Sequence, residues 1–188
     1  MDSIEAYLDA ADEVLNSNTF LVRVPLTAAD IKTDIRTFIA SGELQQALTT
    51  AAIARGWYNL HRITVAGDPT PVPGSLAKPE FRLTWRQPTF TAGEYLQAML
   101  RGDGRLGNFF SFYSCAKNPA EARRLTGALL SQLFHGLDPV LCLIEPDFFV
   151  EAPQDADQLY YFEGNGCDNA VLLVGGSIAY LLLTNGTP

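Results

Sequence analysis

The densest run of apolar residues between clear turn signals lies at the end of the chain, from Gln158 to Gly186, and it constrains the fold more than any other stretch. Gln158-Leu-Tyr-Tyr-Phe-Glu163, Ala170-Val-Leu-Leu-Val174 and Ile178-Ala-Tyr-Leu-Leu-Leu183 read as three consecutive strands. Gly164-Asn165-Gly166 opens the first connection, and Gly175-Gly176 forms the second, supplying the positive φ that a tight antiparallel turn requires. The expected product is a β-meander. Its middle strand is apolar at every position instead of alternating, so both of its faces should be covered, one by helices and the other by further protein.

Upstream, helical signals dominate. Asp2 or Ser3 can cap a first helix, with Glu5 placed for a capping-box contact and Ile4, Leu8, Ala11 and Leu15 at helical spacing. Glu5, Asp9, Asp12 and Glu13 make the rest of that helix acidic. Thr19 to Val24 reads as extended. A second helix begins at Thr27-Ala-Ala-Asp30, carries Ile31, Ile35, Phe38 and Ile39, and breaks at Ser41-Gly42; a third, Ala-rich one runs from Glu43 to Arg55. Trp57 to Val65 and Phe81 to Arg86 alternate as a strand pair would. Between them the segment 67–79 holds too many prolines for a helix or a central strand, and it reads as a long loop, with an interdomain boundary as the alternative.

Thr91-Ala-Gly-Glu94 is a capping box that opens a short helix. Asn118-Pro119-Ala-Glu121 starts a longer one, with Ala122, Leu125, Leu129 and Leu133 as its buried stripe, Leu130 and Phe134 widening it, and Gly136 ending it. Pro139 to Ile144 is a further wholly apolar strand. The fold class expected is α+β: N-terminal helices and a strand pair, a long helix, and a C-terminal antiparallel β-meander. The 188 residues suit one domain, 1–188, with 67–79 as its only candidate sub-boundary.

Charge narrows the function. The first 22 residues hold five acids and no base; residues 23–124 hold all thirteen Lys and Arg against eight acids, a formal +5; residues 125–188 hold eight acids and no base, a formal −8. Acidic ends argue against nucleic acid as a partner, because affinity for it comes from neutralising phosphates. The acidic start lacks the cationic and apolar regions of a secretory signal, and no run approaches the roughly 20 apolar residues of a membrane span, so no membrane role is expected. Three scattered cysteines, Cys115, Cys142 and Cys167, fit a reducing compartment, and the expected location is cytoplasmic.

Motifs with chemistry are few. Gly102-x-Gly104-x-x-Gly107 matches the dinucleotide fingerprint by letter, but a capped helix precedes it where the mechanism needs a strand. Cys167 lies among Glu163 and Asp168, which oppose a thiolate; Cys115 has Lys117 nearby; Cys142 sits inside an apolar strand. His61 and His135 are the only histidines, and neither has metal-ligand spacing, so no metal, cofactor or catalytic residue is assigned.

The acidic stretch from Glu145 to Asp157 carries the leading functional expectation. Glu145, Asp147, Glu151, Asp155 and Asp157 interleave with Phe148 and Phe149, as apolar anchors set among charges do at a protein-binding edge. Calcium-loop spacing is absent there. The expected function is a non-catalytic, acidic protein that neutralises or escorts a basic partner protein through these residues, with the acidic face of the first helix contributing. Bacterial immunity proteins and secretion chaperones are of this type, by analogy and not by motif. One alternative is a cysteine-dependent hydrolase or transferase, with Cys115 or Cys167 as nucleophile and His135 or His61 as base. Another is a structural subunit that buries apolar surface in a homo-oligomer.

Overall fold

A computed structural model describes residues 2–27, 30–55, 86–107, 109, 115–145 and 168–186. It is an α+β protein, built among the described residues on a four-stranded antiparallel sheet. The expected strand pair 57–65 and 81–86, the proline-rich segment 67–79 and the strand 158–163 lie outside the described residues, apart from Arg86.

The chain opens with helix α1, Ser3–Leu15. Asp2 caps it by accepting from the Ile4 N–H at 3.1 Å, satisfying one of the donors that a helix start leaves without an intrahelical acceptor. Glu5 makes no capping box, because its carboxylate is drawn to Arg55. Asn16, in the left-handed region at φ 47°, turns the chain directly into strand β1, Ser17–Val24. Helix α2, Ile31–Ala40, is capped by Asp30, which accepts from Thr33 through both its N–H and its hydroxyl. Gly42, at φ 85°, separates it from α3, Glu43–Arg55.

Helix α4, Ala92–Leu100, has the complete capping box: Thr91 Oγ1 accepts from the Glu94 N–H, and the Glu94 carboxylate accepts from the Thr91 N–H at 2.7 Å. Helix α5, Pro119–Phe134, begins on Asn118, whose side chain accepts from both Ala120 and Glu121, with proline at the first helical position where no N–H is needed. Its buried stripe is Ala122, Leu125, Leu129 and Leu133, with Phe134. The helix stops at His135, which takes the left-handed φ of 51°, one residue earlier than Gly136 would suggest.

Strands β2 (Val140–Ile144), β3 (Asn169–Gly175) and β4 (Ile178–Gly186) form the C-terminal meander, and β1 adds to the free side of β4, giving the order β1-β4-β3-β2. This corrects the membership of the meander. The place beside β3 expected for 158–163 is taken by β2, which pairs with it from Val140↔Val174 to Ile144↔Ala170. The β3–β4 hairpin turns through Gly176 and Ser177 with positive φ, 61°, at the first position only, the pattern of a type II′ turn. Gly175 remains in β3 for a different reason: a Cβ there would come within 2.5 Å of the Phe134 ring.

Both faces of the sheet are covered. Val171, Leu173, Leu182 and Leu141 pack under α1, α4 and α5. Ala170, Leu172, Leu181 and Leu183 pack with Phe20 and Val24 against α2 and α3. A strand with helices on either side gains nothing from alternation, which is why β3 is apolar throughout. Tyr7 ties the first layer together, fully buried and donating its hydroxyl to the Leu96 carbonyl at 2.8 Å. On the α1 side the sheet ends in a polar row, Thr19, Thr184 and Asn169 in register, with Asn169 donating to Thr184 Oγ1 at 3.1 Å.

Candidate functional site

Of the seven residues expected to bind a partner, Glu145 is described, exposed, and carried just beyond the end of β2; Asp147, Phe148, Phe149, Glu151, Asp155 and Asp157 lie outside the described residues. At the opposite end of the same strand, Leu137 and Val140 are, among the described residues, the exposed large hydrophobic ones, 60% and 46% accessible, and Asp138 between them is exposed too. Sequence reasoning passed over this group, naming Val140 only as part of the wholly apolar strand Pro139 to Ile144. The available signal was Leu137 immediately after a helix-ending Gly136, where burial on the helix face is no longer assured.

β2 is the edge of the described sheet. Among the described residues its outer side is met at one place, where Arg86 and Leu143 exchange both backbone hydrogen bonds, at 2.9 and 3.2 Å, as an isolated antiparallel bridge. Beyond Arg86 the chain leaves β2 for the α4 cap, and a cleft of about 340 Å³ opens between residues 87–93 and 138–141.

The acids of α1 have a different environment. Arg55, at the end of α3, reaches Glu5 and Asp9 at 2.7 Å and Asp12 at 3.0 Å, three carboxylates on one helix face. The other Asp12 oxygen accepts from the Thr19 N–H at 2.5 Å, so one side chain joins α1, α3 and β1. Burial pushes the Asp12 carboxyl up to about 6, against the opposing pull of Thr19 and Arg55. Lys117 pairs with Glu13. The acidic face of α1 is thus engaged internally, by bases from the middle of the chain.

The enzyme alternative fares unevenly. Cys142 is buried among α2 and β-sheet side chains, and burial raises its thiol. Cys115 and His135 flank opposite ends of α5, whose 16 residues span roughly 24 Å, so they form no nucleophile–base pair. Lys117, the cation near Cys115 in sequence, is occupied by Glu13. Cys167 and His61 lie outside the described residues.

The glycine-rich stretch after α4 follows a helix, and Gly107 is there for packing: a Cβ would fall 2.7 Å from the Phe109 ring. Within that stretch, hydrogen bonds from Arg105 lower the Asp103 carboxyl to about 2. Among the described residues no group of three or more His, Cys, Asp or Glu side chains is arranged to hold a metal ion, and no helix is long and apolar enough to cross a membrane.

In comparisons with known proteins, no family model, no curated protein and no solved structure matched the chain.

Proposed function

We propose that the protein is a non-catalytic binding protein that neutralises or escorts a basic partner, engaging it from the acidic end of β2 onward, through Glu145 and the stretch to Asp157. The division of charge carries this reading. Acids of α1 are matched by Arg55 and Lys117. Asp138 and Glu145, by contrast, are exposed and form no ion pair among the described residues. No Lys or Arg follows Arg124 in the sequence. Acid left exposed without an internal base is available to an external one, and such pairing steers association and weakens with salt.

The test is affinity capture of the tagged protein from its native lysate at low salt, with a salt step to release what is bound. A single stoichiometric basic protein, lost when Glu145, Asp147, Glu151, Asp155 and Asp157 are reversed to Lys, is the expected result. Capture that ignores both salt and reversal would refute it.

A further inference from the structure

We propose that the outer edge of β2 at Leu141, with the exposed Leu137, Asp138 and Val140 beside it, receives an extended, basic segment of the partner as an added strand. This rests on the basic-partner reading and names where and in what conformation the partner docks.

The edge follows from strand geometry. In an antiparallel ladder the N–H and C=O of one residue point to the same side, and alternate residues point to opposite sides. Leu143 uses both groups on Arg86, away from β3. Leu141, two residues earlier, therefore presents its N–H and C=O to that same outer edge. Continuing the bridge by one step would place residue 88 opposite Leu141, and residue 88 is proline. Proline has no N–H to give the Leu141 carbonyl, so the ladder stops and the chain departs toward the Thr91 cap. Among the described residues nothing hydrogen-bonds the outward groups of Leu141. The cleft of about 340 Å³ lies over this interruption, lined by residues 87–93 and 138–141.

The occupant's chemistry follows from the rim. A backbone edge selects an extended chain, whose own N–H and C=O complete the ladder. Val140, exposed and lining the cleft, favours an apolar side chain on it, and Leu137, exposed three residues earlier in the chain, extends the apolar surface. Asp138, exposed and without an ion pair among the described residues, favours a cation next to that side chain. Alternation along a strand puts such residues at fixed register, so the fitting segment alternates Lys or Arg with an aliphatic residue.

The probe is the capped peptide Ac-Arg-Val-Arg-Val-Arg-NH2, titrated into the ¹⁵N-labelled full chain, with Ac-Glu-Val-Glu-Val-Glu-NH2 as the control. The basic peptide should shift amides from Leu137 to Leu143 and slow exchange of the Leu141 N–H, the acidic one should do neither, and Asp138→Lys should weaken binding at least tenfold with the melting temperature unchanged. Basic-peptide shifts confined to other residues, or insensitivity to Asp138→Lys, would overturn the β2 site while leaving a basic partner in place. Absence of binding by both peptides would overturn it as well, the partner reading then standing or falling on the capture experiment. Shifts of 137–143 on simple dilution would assign the edge to a second copy of the chain and also overturn the proposal.

Discussion

Asp12 is the residue on which most depends, because its two oxygens serve different elements: one holds the start of β1 through Thr19, the other holds the end of α3 through Arg55. Glu5 and Asp9 on α1 share the same guanidinium. With its pKa raised from 3.8 to about 6, the folded chain retains a proton there that the unfolded chain releases. Stability contributed by this group is present below about pH 4 and is lost as pH rises toward 6, on the order of 3 kcal/mol over the whole window. Melting curves of the wild type and Asp12→Asn between pH 4 and 7 should therefore diverge, the variant gaining relative to the wild type as pH rises; parallel curves would contradict this. Gly175 offers a second test at the same scale. Alanine there meets Phe134 Cδ1 at 2.5 Å, and the ring is locked edge-on against Tyr180, centroids 5.6 Å apart. Gly175→Ala should cost about 1–3 kcal/mol, measurable by chemical denaturation, and pairing it with Phe134→Leu should recover part of the loss. These contacts were not legible in the sequence. Glu5, Asp9 and Asp12 show as a polar helix face, but nothing local says that Arg55 comes to cover it.

Elements whose signals are local were legible. The start of α5 follows from Asn118 and Pro119 alone, since a cap needs only the next three residues, and in the structure Asn118 accepts from the N–H groups of both Ala120 and Glu121. Asn118→Ala should lower stability by about 1 kcal/mol and Asn118→Asp should be close to neutral, a difference visible in denaturation midpoints. Strand pairing obeys no such local rule. The β1–β4 ladder joins Ser17 to Gly186, and a pattern of apolar residues says that a strand exists without saying which strand lies next to it. Proximity in sequence favoured 158–163, which lies outside the described residues, as the neighbour of β3, whereas β2, also wholly apolar, occupies that position. Glu145 was recognisable as an exposed acid, but the interrupted edge at Leu141 depends on proline standing at position 88, where the continued register would have placed a partner for Leu141, and only the Arg86–Leu143 bridge reveals that register.

Across the whole molecule, the uneven charge seen in the sequence resolves into two uses. The middle of the chain supplies Arg55 and Lys117 to α1, making those acids part of the fold. The acids after Arg124 have no base in their own part of the chain, and the exposed ones flanking β2 are proposed to meet a basic partner. The most direct measurement is capture yield from one native lysate for two variants, Glu5→Gln/Asp9→Asn and Asp138→Asn/Glu145→Gln, compared with wild type at a temperature where all three are folded. Division of labour predicts that the α1 variant melts lower yet captures a basic protein normally, while the β2 variant melts like wild type and captures little. Loss of capture by the α1 variant with retention by the β2 variant would contradict it.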